Sequence, residues 1–159
     1  MSKEVITSAI LVIVSVIAAV AFVNAVLPSV YGLSESYNSV ARSMEDQFKT
    51  DLDIIFIYPD GNSTIVYVWI KNVGSSDIPF SQLQFSDIFI MSSSGYWNPG
   101  FESASNQSWN YTLENGDGDT WNRGETIKVA IKLDNLPDDL YQITFFLYNG
   151  VSTTDTFST

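Results

Sequence analysis

Cysteine and histidine are both absent from this 159-residue chain. Without cysteine there is no disulfide, no thiolate nucleophile and no sulfur-based zinc site. Without histidine the chain lacks the commonest general base and metal ligand at neutral pH. Ser-His-Asp, Cys-His and histidine-ligated metal chemistry are therefore closed to it. Positive charge is scarce as well: 7 Lys and Arg face 18 Asp and Glu, for a formal net charge of -11. After Thr50 the only bases are Lys71, Arg123, Lys128 and Lys132. Such a surface repels polyphosphates, which argues against nucleic acid as a partner. No nucleophile elbow, phosphate-cradling glycine loop or zinc motif occurs. The expectation is a protein that is not an enzyme and needs no cofactor.

What the sequence has in abundance is a long apolar run. Val5–Leu27 is broken only by Thr7, Ser8, Ser15 and Asn24. As a helix, about 23 residues reach roughly 34 Å, close to the ~30 Å hydrocarbon core of a bilayer. A cleaved secretory signal would need a basic start, a shorter apolar stretch and a small-x-small cleavage site. Only Lys3 precedes the run, although Ala19, Ala21 and Ala25 leave such a site conceivable. The favoured reading is a single-pass anchor in the cell membrane, touching lipid through residues 5–27. The chain length leaves room for one further domain of ordinary size.

A helical pattern continues beyond this run. Val23, Val26, Val30, Leu33, Tyr37, Val40, Met44 and Phe48 recur at intervals of three and four residues. That is one apolar stripe at a near-heptad period, with Pro28 and Gly32 interrupting it as candidate kink points. In water such a stripe must be covered. It packs either on the protein's own β-domain or against helices of other copies, as a self-association surface.

After Thr50 the period changes to two. DLDIIFIY (51–58) and STIVYVWIKNV (63–73) flank the turn Pro59-Asp60-Gly61-Asn62 and read as a hairpin. Gln84–Met91, Gln107–Leu113 and Thr126–Leu133 follow as strands, the last with Ile127, Val129, Ile131 and Leu133 on one face. Leu140–Asn149 and Val151–Phe157 flank Asn149-Gly150, a second hairpin signal. Seven strands at this spacing predict a β-sandwich of immunoglobulin-like size. The expected organisation is a membrane-spanning helix over 1–28, a helical extension or stalk over 29–50, and an all-β sandwich over 51–159.

Few short motifs stand out. Asn62-Ser-Thr, Asn106-Gln-Ser and Asn110-Tyr-Thr are acceptor sequons for N-glycosylation, each in a turn or at a strand start. They favour an orientation with the β-domain outside the cell, since Lys3 before the run and Arg42 and Lys49 after it decide little. Glu114–Asp119 looks like a loose cation loop but fails the EF-hand pattern, and a solvated hairpin tip is the stronger reading. Asp51 with Asp53, and Asp138 with Asp139, are paired carboxylates at turns and strand starts, where a solvated or capping role is expected. The four tryptophans mostly read as core. Tyr96, Trp97 and Phe101 stand apart in an apparent loop, where they either pack over a sandwich edge or form a contact surface.

The chain also resembles a known family. MSKEVITSAILVIVSVIAAVAFVNAVLPSVYGLSESY, LDIIFIYPDGNSTIVYVWIKNVGSSDIP, RGETIKVAIKL and LYQITFFLYNGVSTTDTF are similar to the accessory proteins of the archaeal flagellum (archaellum), of the FlaG/ArlG type. The resemblance covers nearly the whole chain. It implies a membrane helix, an archaellin-like sandwich outside the cell, and a stator-like role that links the motor to the envelope. It implies as partners the sister protein FlaF/ArlF and, through it, the S-layer. Archaellins and archaeal pilins share the layout of a long helix and a β-domain, so a filament subunit is the alternative. Those proteins are made with a short basic leader, whereas Met-Ser-Lys-Glu is all that precedes the apolar run here. A membrane-tethered binding or adhesion module is the third reading.

Overall fold

The computed structural model describes residues 2–61 and 63–159. Ser2–Lys49 forms one helix, α1, which continues through Pro28 and Gly32 without a break. Its apolar run meets the length and composition needed to cross a membrane. Three of the four polar residues in that run bond back to the helix. Thr7 Oγ1 donates to the Lys3 carbonyl at 2.8 Å, Ser8 Oγ to Glu4 at 2.9 Å and Ser15 Oγ to Val12 at 2.8 Å. A hydroxyl bonded back to its own helix adds little cost in an apolar medium. The chain divides into a helical unit ending at Ser43 and a larger unit, Met44–Thr159, which holds the last turns of α1 and every strand.

In the larger unit the strands are β1 (Leu52–Pro59), β2 (Ile65–Asn72), β3 (Ile78–Pro79), β4 (Asp87–Ser92), β5 (Gly95–Trp97), β6 (Gly100–Phe101), β7 (Ser108–Asn115), β8 (Thr120–Trp121), β9 (Thr126–Lys132), β10 (Leu140–Phe146) and β11 (Ser152–Ser158), with a helical turn α2 (Phe80–Leu83) after β3. One sheet has the order β1-β2-β9-β7-β6, a second β11-β10-β4-β5, and a small third pairs β3 with β8. All pairings are antiparallel except β6 with β7. The seven expected strands are all present. The four additional ones have two or three residues each, too short for a period to be read. The expected strand over Gln84–Met91 begins later, at Asp87, because α2 and its exit occupy the preceding residues.

The core lies between the two large sheets. Val66, Val68 and Ile70 of β2 and Ile127, Val129 and Ile131 of β9 are at most 1% exposed. They face Ile88 and Ile90 of β4 and Tyr141, Ile143 and Phe145 of β10 in one cluster. Trp109 of β7 meets Phe145 edge-on across the sheets, with centroids 6.0 Å apart. Period-two alternation supplies most of this core; in β1 a bulge between Ile54 and Phe56 shifts the pairing, and β7 has a second irregularity between Leu113 and Asn115. Strict alternation from Leu52 and Ile54 would send Phe56 and Tyr58 inward as well. The bulge reverses the parity, and both rings are exposed on the outer face.

Candidate functional surfaces

The helix stripe is solvent-facing at every position, from Val26 at 38% to Phe48 at 87% exposure. Val23, Val30, Leu33, Tyr37, Val40 and Met44 lie between these values.

Where α1 enters the sandwich, the backbone is gripped from two sides. The Lys49 carbonyl accepts from Ser75 N at 2.7 Å and Ser76 N at 3.0 Å, and the Asp51 carbonyl from Gly74 N at 2.9 Å and Val73 N at 3.0 Å. Buried Thr50 donates to the Asp46 carbonyl at 2.7 Å and accepts from Asn149 Nδ2 at 3.0 Å. Gln47 Nε2 donates to the Asn149 carbonyl at 2.8 Å, so the β10–β11 hairpin tip also holds the helix end. Asn72 anchors the other side. Fully buried, it donates to the Ser76 and Trp121 carbonyls at 2.9 and 3.0 Å and accepts from Gly74 N at 3.1 Å. Gly74 must be glycine for reasons of space. A Cβ there would lie on the Asp51 amide nitrogen and 3.0 Å from the Thr50 carbonyl carbon. Within the larger unit, Lys49, Thr50 and Asp51 are thus hydrogen-bonded to the Val73–Ser76 loop and to Asn149, around buried Thr50, Asn72 and Gly74.

The apparent contact loop does not present its three aromatics together. Tyr96 is exposed and stacks on Phe89 at 5.8 Å. Trp97 is 5% exposed, and its Nε1 donates to Asp134 Oδ1 at 3.0 Å and Asn135 Oδ1 at 3.2 Å. Phe101 is half-buried, edge-on to Trp109 at 4.8 Å. Of the two alternatives for this segment, Trp97 follows the first and packs at the sandwich edge. The chain crosses here from the four-stranded to the five-stranded sheet, and short β5 and β6 turn Trp97 and Phe101 inward to close the sandwich side.

The acidic motifs lie at turns and strand ends. Glu114 accepts from Trp69 Nε1 at 3.2 Å. Among the described residues no group of three or more Asp or Glu lies close enough to hold a metal ion. Asp139 accepts from the hydroxyls of Ser93 at 2.7 Å and Ser94 at 2.8 Å and from Leu140 N at 2.8 Å. Those donors, the two serines first, hold its carboxyl well below the usual carboxylate range. Asp139 thus caps the turn, with its charged form favoured.

Both sheets carry aromatic groups on their outer faces. On the four-stranded sheet Tyr96, Phe89 and Phe146 cluster, Phe89 meeting Phe146 edge-on at 5.5 Å. On the five-stranded sheet Phe56 packs on Trp69 at 5.3 Å, Tyr58 on Tyr67 at 6.4 Å and Tyr67 on Trp69 at 6.3 Å. The Lys128 ammonium stands 4.6 Å from the Tyr67 centroid and 5.3 Å from that of Trp69, within cation–π range. Sequence reasoning assigned most aromatics to the core and missed this ladder. The signal was present in β2, where Tyr67 and Trp69 alternate with Val66, Val68 and Ile70.

The sequons differ in setting. Asn62 lies outside the described residues. Asn106 is exposed in the loop before β7. Asn110 is exposed in the middle of β7, paired across the strand with Ala130.

Comparison with known proteins gives these surfaces a context. The sequence profile of the family described as archaeal-type flagellin matches residues 2–157. An uncharacterized protein of Archaeoglobus fulgidus is 42% identical over 163 residues, covering 99% of each chain. Among solved structures, the archaellum periplasmic stator protein FlaG of Sulfolobus acidocaldarius is similar, with a TM-score of 0.58 at 24% identity over 68% of this chain and 99% of that one. The FlaF–FlaG stator complex of the same organism matches with a TM-score of 0.54 at 23% identity, over 67% of this chain and 87% of that one. At such identities the likeness establishes the fold, a FlaG-like β-sandwich behind one long apolar helix.

Proposed function

The chain belongs to the archaeal-type flagellin family, and on that premise we propose that it is a non-enzymatic, membrane-anchored structural component of the archaellum. In this reading residues 1–28 span the cell membrane, 29–50 form a stalk, and 51–159 are the sandwich outside the cell. Its part is stator-like, holding the motor against the envelope. The observation that carries the reading is the joint at Gln47–Asp51. A stationary element must pass load from membrane to envelope, and a free linker would absorb it. Here Lys49, Thr50 and Asp51 are bonded to the Val73–Ser76 loop and Asn149. A FlaF-type protein is the expected partner, since a similar sandwich is solved in complex with FlaF, and the S-layer lies beyond it. Deleting the gene is expected to stop swimming while filaments still assemble, and cross-linking in intact cells should join this chain to a FlaF-type protein. Normal swimming in the deletion strain would overturn the proposal.

The exposed stripe from Val23 to Phe48 and the family membership favour a second reading, a filament subunit with these helices packed in its core. Sheared surface filaments would then contain the chain as their main protein, and its absence from them would exclude this. A binding module acting through Tyr96, Trp97 and Phe101 loses its central residue to the core.

A further inference from the structure

The sequence holds two Asn-Gly steps, Asn115-Gly116 and Asn149-Gly150. Such a step can react with itself. The amide nitrogen of the glycine attacks the asparagine Cγ, and with no Cβ on the glycine little stands in its way. The structure sets the two steps in opposite states. At Asn149 each reacting group is held. Nδ2 donates to Thr50 Oγ1 at 3.0 Å, and Oδ1 accepts from Val151 N at 3.1 Å. Gly150 N, the nucleophile, donates to the Leu147 carbonyl at 2.9 Å, an acceptor that cannot take its proton. At Asn115 the reverse holds. Asn115 and Gly116 are both exposed. Asn115 Oδ1 accepts from Thr126 N at 2.6 Å, a donor aimed at the oxygen on which negative charge develops during attack. Among the described residues, Gly116 N donates to no other group. A Cβ at Gly116 would lie on the Glu125 carboxylate, so this group stands against the glycine. Asn122 fixes it there, donating from its backbone N to Oε2 at 2.8 Å and from Nδ2 to Oε1 at 3.2 Å.

The geometry points to Asn115 as a site of spontaneous deamidation, promoted by Thr126 N and Glu125, while Asn149 is kept intact by the joint. Glu125 takes the proton of Gly116 N, and the nitrogen bonds to Asn115 Cγ. Thr126 N steadies the charge on Oδ1. The bond from Cγ to Nδ2 then breaks, and ammonia leaves with the proton from Glu125. The five-membered imide left behind adds water at one of its two carbonyls and opens to aspartate or isoaspartate. No oxidant or other reagent enters. Either product adds a carboxylate to a tip that already holds Glu114, Asp117, Asp119 and Glu125. The isoaspartyl product also carries Cβ in the main chain. It lengthens the backbone by one atom opposite Thr126, at the last pair between β7 and β9. The chain thus undergoes a slow, irreversible change at one hairpin tip, and the joint is spared.

The test follows both asparagines in one sample. Freshly purified full-length protein in detergent is held in mildly alkaline buffer and sampled over days, native and in guanidinium chloride, as wild type and Glu125→Gln. Peptide mass spectrometry reads the change from amide to acid at each site. In the native wild type Asn115 should convert at least as fast as in denaturant, and several-fold faster than Asn149. In denaturant the two asparagines should convert alike. Native Glu125→Gln should convert several-fold more slowly at Asn115, with Asn149 slow in both proteins as the sign that the variant is folded. In denaturant the variant should match the wild type. The wild-type comparison decides the selectivity by itself. Native conversion at Asn115 that is no faster than at Asn149, or slower than in denaturant, overturns the inference. So does native Glu125→Gln that converts at Asn115 as fast as the wild type.

Discussion

Isoleucine and valine dominate both α1 and the strands, yet the two regions solvate them in opposite ways. In the sandwich Val66, Ile70 and Ile127 are at most 1% exposed, whereas Ile13 and Ile17 in α1 are 59% and 63% exposed. Each such side chain left in water costs about 1.5–3 kcal/mol, so the run from Val5 to Leu27 amounts to a few tens of kcal/mol. A whole domain is stable by only about 5–15 kcal/mol. The sandwich meets its hydrophobic requirement internally, because its two sheets cover each other. The helix cannot cover itself, and must take its cover from outside it. One region therefore folds by its own sequence, and the other folds by its surroundings.

Four experiments break or sharpen that contrast. The largest effect is expected from two charges in the run, Ile13→Arg with Ile17→Arg. At about 2.5–3.5 kcal/mol for each arginine, insertion should fail. The protein should then leave the membrane fraction on alkaline extraction with the sandwich still folded, and retention in the membrane would contradict lipid as the cover. Next, Trp109→Ala should cost the sandwich about 3–5 kcal/mol in denaturant unfolding, with membrane retention unchanged. Third, Asn72→Ala removes the donor to the Ser76 and Trp121 carbonyls in the joint, while Gly74 N keeps its bond to the Asp51 carbonyl, and should lower stability by about 1–3 kcal/mol. Hydrogen exchange should rise at Val73–Ser76 before it rises in β9, and uniform acceleration would show that the joint is no separate element.

The smallest effect concerns pH. Asp139 has a native pKa depressed by the Ser93 and Ser94 hydroxyls and the Leu140 amide. Its charged form thus favours the folded state, a contribution fully present above the unfolded carboxylate value of about 3.9 and lost as pH falls through the native value. The Tm difference between wild type and Asp139→Asn should shrink on acidification below about pH 4, and a difference constant with pH would assign the effect to packing.

Much of this molecule was legible before any coordinates. The apolar run, the seven long strands and both hairpins follow from period and turn residues, because those signals are local. The stripe and the sequons were legible as patterns in the sequence. The joint was not legible. Asn72 and Gly74 look like ordinary turn residues, and their importance comes from Lys49, Asp51 and Trp121, which are distant in sequence or carry no side-chain signal. For Trp97 the sequence left packing and a contact surface both open, for a related reason. Its strand has three residues, and only the crossing between sheets explains why it turns inward.

The sequence by itself determined that an apolar helix precedes an acidic, all-β domain without histidine or thiol chemistry, since composition and periodicity act residue by residue. The tertiary structure alone decided which aromatics face outward. A single bulge after Ile54 reverses the parity of β1, and register then sets Tyr58, Tyr67, Ala130 and Asn110 in one row. Side-chain parity in a strand depends on pairing with its neighbours, and that pairing is a property of the folded sheet.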